Sequence, residues 1–421
     1  MEKKDHDSGK SALVLAGGGL TGAVYHIGAL RAINDLLVDR TVNDFDIFVG
    51  TSAGALIGSL LANSISTEEM LKVMDGSHPD FQPISRKNIF SLNYRDYISW
   101  GLHVPQKLAN VGYEYIRNWG EMTLFDVLWL LSEAIPPGLY DGLALERYVR
   151  YLFESAEKSN HFEDLERELY IIATDLDTGD RVVFGKGERM DTSISLAVAA
   201  SSALPLLYKP VRIGDKEFVD GGLRGTASLD LAIERGATLV VCINPLVPFD
   251  NSQPQLEAST TASKRLLSDR GIRSVSDQVI RTIGHSGLQY HIKQLRRRHP
   301  EVDIILIEPR QDDYQMFFHN IMKYSARLTV ARHGFESVTL DLAEDYPRYK
   351  NILARHGIPI SRQLVIEELN EIYQSGYDPE VIRRVLEARA SACSRGGKDS
   401  PACRLTRTLA ELELMLDDFS N

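Results

Sequence analysis

A short apolar run that ends abruptly in glycines, Ser11-Ala-Leu-Val-Leu-Ala16 followed by Gly17-Gly18-Gly19, constrains this chain more than any other feature. A continuous apolar stretch of that length is what a strand buried on both faces presents. Between Leu20 and Leu37, residues Val24, Ile27, Leu30, Ile33 and Leu37 recur at three- and four-residue steps, which predicts a helix. The pattern then repeats, with Phe45-Asp-Ile-Phe-Val-Gly50 as a second strand and Ala53 to Asn63 as a second helix. Strand, glycine turn, helix, strand predicts βαβ units and an α/β fold around a mostly parallel sheet. Later strands are expected at Leu169 to Thr174, Arg181 to Phe184, Val211 to Ile213, Glu217 to Val219, Ala237 to Ile243 and Val302 to Ile307. Helices are expected at Ala227 to Arg235, between Glu257 and Arg298, and from Met322 to Leu342.

Two stretches break this rhythm. From about Phe81 to Gly142 aromatic residues are scattered among short helical signals, and we read residues 81–142 as an insertion over the sheet. Its most apolar part, Thr123 to Leu131, suits a helix buried against the body better than a lid, since apolar stripes are usually core. Residues 346–421 carry no strand signal and are expected to form a helical extension, broken at Ser394 to Pro401. Residues 1–10 form a polar tail, which leaves about 11–345 as the main domain.

Composition narrows the function. The formal net charge of −11 argues against a nucleic-acid binder, which needs a basic face. The one basic cluster, Lys293, Arg296, Arg297 and Arg298 between His291 and His299, suits a solvated helix face. Three cysteines, Cys242, Cys393 and Cys403, are too few and too scattered for a disulfide framework or a zinc site. They suggest a reducing, cytoplasmic setting. The polar N-terminus shows no signal-peptide core, and no apolar stretch reaches the ~18 residues of a membrane span.

Three constellations carry chemistry. Gly50-Thr51-Ser52-Ala53-Gly54 is a G-x-S-x-G between strand and helix, where small neighbours let the chain turn sharply and project the serine oxygen. Gly17-Gly18-Gly19-Leu20-Thr21-Gly22 supports two readings. Gly17, Gly19 and Gly22 satisfy the dinucleotide fingerprint, yet the same amides could hold the oxyanion formed when serine attacks an ester. A dinucleotide site wants an acidic residue closing the second strand; Asp44 and Asp46 precede or begin it, so the oxyanion reading is preferred. Phe218-Val-Asp220-Gly221-Gly222 puts a carboxylate at a strand end, where desolvation could make it a base. Alone it would read as a turn aspartate bonding its own backbone.

In this order the three motifs resemble the patatin-like phospholipase family. The resemblance implies a three-layer α/β sandwich and a lipid acyl hydrolase that needs no cofactor or metal. It implies Ser52 as nucleophile, Asp220 as general base, and Gly17, Gly18 and Gly19 as oxyanion hole. The lipid would be met at a membrane or micelle surface, with the protein at most peripheral. Ala199-Ala-Ser-Ser-Ala-Leu-Pro205 looks like the family's segment between serine and aspartate. One departure is Thr21, where the family often carries Arg or Lys; substrate preference among anionic lipids should change with it. Two other functions compete. A Ser, Asp, His triad would draw its histidine from His285, His319 or His333, and a non-catalytic scaffold would bind lipid or protein through the insertion or the C-terminal helices.

Overall fold

The computed structural model describes residues 9–94, 136–252, 266–313 and 324–387, with Tyr97, Ile98 and Tyr113. Ten strands lie at β1 Lys10–Leu15, β2 Ile47–Thr51, β3 Gly138–Tyr140, β4 Glu168–Asp175, β5 Arg181–Gly185, β6 Leu206–Tyr208, β7 Val211–Ile213, β8 Lys216–Asp220, β9 Ala237–Ile243 and β10 Asp303–Ile307. Twelve helices are described: α1 Gly19–Leu36, α2 Ala53–Ala62, α3 Thr67–Asp75, α4 Arg86–Ile89, α5 Leu143–Ser155, α6 Ile194–Ser201, α7 Leu229–Glu234, α8 Ile272–Arg298, α9 Tyr324–Glu344, α10 Tyr346–Arg355, α11 Gln363–Gln374 and α12 Pro379–Glu387.

The main sheet runs β10-β9-β1-β2-β4-β8-β7, with β5 also on β4. The run from β10 to β4 is parallel, as the βαβ pattern requires, whereas β5, β8 and β7 pair antiparallel. Alternation along β1 divides the core. Leu13 and Leu15 face one hydrophobic cluster with α1, α2 and α6, while Ala12, Val14 and Ala16 face another with α7 and α8. Helices therefore cover both faces of a mostly parallel sheet. β3 and β6, which the sequence pattern did not single out, form a separate two-stranded ribbon.

Helix α1 is buried from Gly22 to Leu36. It can approach α9 closely because Gly28 of α1 and Gly334 of α9 face each other; a Cβ at Gly28 would lie 1.9 Å from the Ala331 carbonyl oxygen. On its other side α1 carries the fully buried Arg31, whose guanidinium donates to the carbonyls of Val385 at 3.1 Å and Leu386 at 3.2 Å. The same group pairs with Asp35, with Glu68 at 3.7 Å and with Glu368 at 3.3 Å. Helices α11 and α12 are thereby bound to the first helix of the fold. The expected C-terminal helices are present as far as Glu387. The Thr123 to Leu131 segment, Cys393, Cys403 and His319 lie outside the described residues.

Candidate active site

Register along the sheet brings the motifs together. β5 takes one edge of β4 from Tyr170 to Thr174, so β2 and β8 share the other edge. β2 ends there at Thr51 opposite Ile172, and antiparallel β8 ends at Asp220 opposite Ala173, one residue further along β4. The two strand ends therefore meet end to end on the same side of β4, which brings Ser52 and Asp220 together; a Cβ on Gly221 would lie 3.2 Å from Thr51 Cγ2.

Ser52 does project. It occupies φ 53°, ψ −118°, in the left-handed half of the map, which a non-glycine residue adopts only when its surroundings force it. The forcing is visible on both sides. A Cβ at Gly54 would lie 2.0 Å from the Leu15 carbonyl oxygen, and one at Gly50 would lie 2.5 Å from Ala55 Cα. The turn is held from below by Ser201 on α6. Its hydroxyl accepts the Ser52 N–H at 2.8 Å and donates to the Ile172 carbonyl at 2.6 Å. Helix α2 begins at Ala53 and points the positive end of its dipole at the serine.

Asp220 is pinned by its backbone, its N–H donating to the Ala203 carbonyl at 2.9 Å and its carbonyl accepting the Thr174 hydroxyl at 3.1 Å. One carboxylate oxygen accepts the Gly222 N–H at 2.7 Å, so the turn bond foreseen as the plain reading is real. The Ser52 side chain lies near enough to the carboxylate to oppose the rise in its pKa. Burial raises its pKa to about 6, against the lowering effect of Ser52 and the Gly222 amide. Gly221 is required by packing, since a Cβ there would lie 2.2 Å from the Ile172 carbonyl oxygen.

The glycine loop lies beside the serine. A Cβ on Gly17 would be 3.5 Å from Ser52 Cβ. The Gly17 N–H, however, donates to the Thr226 carbonyl at 3.2 Å, so of the three expected oxyanion donors only Gly18 and Gly19 remain candidates. Thr226 in turn donates its hydroxyl to the Gly284 carbonyl on α8 at 3.1 Å, which ties the loop to that helix. Behind the loop the fully buried His26 bonds the Ala16 carbonyl at 2.9 Å, and burial lowers its pKa to about 4, keeping it neutral.

The alternatives fare differently. His285 pairs with Glu308 at 3.3 Å and His333 with Asp313 at 2.7 Å, so neither supplies the partner of Asp220 that a triad needs. Asp46 accepts from the Ser11 N–H and hydroxyl at 2.8 Å each, and Asp44 caps Thr41. Both stand at the opposite end of the strands from the glycine loop, so neither could reach a ribose held there. Within the basic cluster, Arg296 donates to the Ile304 carbonyl at 3.1 Å, a structural use. Cys242 is buried in β9. Among the described residues no His, Cys, Asp or Glu cluster could hold a metal ion.

Residues 13–233 match the model of the patatin-like phospholipase family, just over half of the 421 residues. The chain belongs to this family. An uncharacterised protein of Acanthamoeba polyphaga mimivirus is 25% identical over 222 residues, covering 52% of this chain and 60% of its own length. A probable lipid hydrolase of Invertebrate iridescent virus 6 is 22% identical over 222 residues, covering 53% of this chain and 63% of its own. An uncharacterised Bacillus subtilis protein is 23% identical over 254 residues, covering 58% and 73%. The chain spans less than two thirds of the length of the two viral relatives. Among the described residues no helix is long and apolar enough to cross a membrane.

Two residues beside the site were not singled out as participants. Ser201 lies in the quoted Ala199 to Pro205 segment, but its role as a strut is a matter of tertiary register. Thr226 follows the Asp-Gly-Gly motif too distantly for spacing to link it to Gly17.

Proposed function

We propose that the protein hydrolyses fatty-acyl esters of lipids through a Ser52–Asp220 dyad. The observation that carries this reading is the buried carboxylate, its pKa raised by desolvation, with the side chain of a strained strand-to-helix serine near enough to act on it. Ser52 Oγ attacks the ester carbonyl as Asp220 takes its proton. The amides of Gly18 and Gly19 and the N-terminus of α2 are placed to stabilise the oxyanion. As the tetrahedral intermediate collapses, Asp220 returns that proton to the leaving alcohol and Ser52 is left acylated. Water then attacks the acyl-enzyme with Asp220 again as base, and the fatty acid leaves. A carboxylate at the usual ~3.9 would be a feeble base; one near 6 is ionised at neutral pH yet basic enough to help.

The lipid is taken from a membrane or micelle surface by a catalytic body of residues 11–345, braced by the helices that follow. Family membership and the probable lipid hydrolase among the relatives support this choice of substrate. A fluorophosphonate probe should label the wild type and spare Ser52→Ala, which should also lose turnover on a panel of lipid esters. Equal labelling of both proteins would overturn the assignment.

A further inference from the structure

We infer that the outward face of α8 is the surface by which the protein docks on an anionic lipid bilayer. The choice of lipid rests on the hydrolase reading; what is added is the face that meets the membrane and the charge of the membrane it meets. Helix α8 carries two apolar stripes where a surface helix needs one. Leu288, Ile292 and Leu295, in line with the buried Arg281, pack into the core on one face of the sheet. Opposite them Ile272, Val275, Val279, Ile283 and Tyr290 follow one another at three-, four- and seven-residue steps. All five are exposed, Ile272 at 85%, Ile283 at 68% and Tyr290 at 67%. The stripe runs for about 27 Å along the helix.

The charge of the helix identifies the occupant. Between Ile272 and Arg298 six lysines and arginines stand against one acid, in a chain whose formal net charge is −11. That acid, Asp277, accepts from Arg281 Nε at 2.8 Å. Lys293 and Arg297, both exposed, carry the outward stripe on through the last two turns. An apolar face that ends in cations is what an interfacial helix presents: its aliphatic side chains enter the acyl boundary while its cations meet the phosphates. A second copy of the chain fits worse. Pairing α8 with itself in parallel would lay Lys293 and Arg297 on their own counterparts, and pairing it antiparallel would bury them against the apolar end. The face also borders the proposed site. Ile283 lines one cavity with Gly221, Gly222 and Leu223, and Leu223, three residues after Asp220, is itself exposed. Thr226 ties the same stretch to α8 through the Gly284 carbonyl at 3.1 Å. A bilayer lying on α8 therefore lies beside the turn that carries the general base.

The experiment uses the full chain carrying Ser52→Ala, so that no lipid is consumed. It measures co-sedimentation with vesicles of phosphatidylcholine alone and of equal parts phosphatidylcholine and phosphatidylserine. Binding to the mixed vesicles should be at least tenfold tighter, and raised salt should remove most of the difference. Adding Lys293→Gln and Arg297→Gln together should weaken that binding about thirtyfold, the factor that corresponds to ~1 kcal/mol per basic residue near an anionic surface. Adding Ile272→Ser and Val279→Ser should weaken binding to both kinds of vesicle at least tenfold. All four side chains are exposed, so both pairs should keep the melting temperature of the parent, and either pair serves if the other fails to fold. Equal binding to the two kinds of vesicle, no binding to either, or binding that neither pair changes overturns the surface. So does a parent dimer that the serine pair dissociates, which would give the face to a second copy. The hydrolase reading stands or falls on fluorophosphonate labelling of the wild type, which this experiment does not use, so the two fail separately.

Discussion

Asp220 and Asp35 are both buried aspartates whose pKa is raised chiefly by desolvation, yet they sit in opposite kinds of surroundings. Asp220 stands at a strand end, where its carboxylate accepts the Gly222 amide and feels the nearby Ser52 side chain, and no cation among the described residues is a cause of its shift. Asp35 lies one helical turn from Arg31, in a cluster that also holds Glu68 and Glu368. There, three carboxylates face one guanidinium, with Asp35 fully buried and Glu68 and Glu368 nearly so. Burial and the neighbouring Glu368 push Asp35 toward its protonated form, against the pull of Arg31. A raised carboxyl pKa therefore does not by itself mark a catalytic site. The company it keeps separates them: the proposed nucleophile at the N-terminus of α2 in one case, a clamp between helices in the other.

The largest difference should be in turnover. Asp220→Asn should lower kcat by about 10²- to 10⁴-fold, the usual contribution of a general base, with binding of a fluorescent fatty acid retained. Asp35→Asn should leave kcat within twofold, and a comparable loss there would erase the distinction. Because the base must be ionised, wild-type kcat/KM on an uncharged ester should rise with pH and reach half its plateau near pH 6. A plateau extending unchanged to pH 4.5 would mean that Asp220 is not the titrating group.

The next effect is on stability. Arg31→Met removes the guanidinium that Asp35, Glu68 and Glu368 face, and with it the donor to the Val385 and Leu386 carbonyls. Breaking such a buried set costs about 3–5 kcal/mol, measurable as a lower urea midpoint. Amide exchange should accelerate first in α11 and α12. Loss of protection spread evenly over the sheet would show that the clamp does not hold those helices in particular.

Asp220→Asn should do the reverse. The folded pKa of about 6 exceeds the unfolded ~3.9, so the proton's contribution to stability is full below the unfolded value and is lost as pH rises through 6. Asparagine needs no proton. The variant should gain up to about 3 kcal/mol over the wild type at pH 8, and next to nothing at pH 3. Stability given up at a working carboxylate is the usual signature of a site kept for function.

How far the sequence announced these features depends on their range. β7 and β9 fall at the expected residues, and β1, β2, β4 and β8 within one or two, because buried strands write their period locally. Ser52, Asp220 and the glycine loop were legible because each needs small residues within a turn, and those needs are local too. The antiparallel half of the sheet was not, since pairing direction depends on where β8 docks against β4. That the Gly17 N–H is already engaged could not be read, because its acceptor, Thr226, lies more than two hundred residues away. Arg31 escaped notice for the same reason. Its i,i+4 partner Asp35 is visible in the sequence, but nothing there says that both sides of α1 are covered, or that the cation's remaining partners come from α3, α11 and α12.

The smallest predicted effect is the sharpest test of the contrast. If Asp35 is the protonated member of its cluster, an asparagine copies its shape and its neutral charge, and Asp35→Asn should cost about 1 kcal/mol or less, the scale of one altered hydrogen bond. If Asp35 instead carries the charge that balances Arg31, the same substitution breaks an ion pair and should cost nearly as much as Arg31→Met. Urea unfolding of both single variants and the double separates these cases. Near-additivity, with a small Asp35→Asn value, places the charge balance on Glu68 and Glu368. A large, non-additive value places it on Asp35, and the likeness between the two raised aspartates would then dissolve.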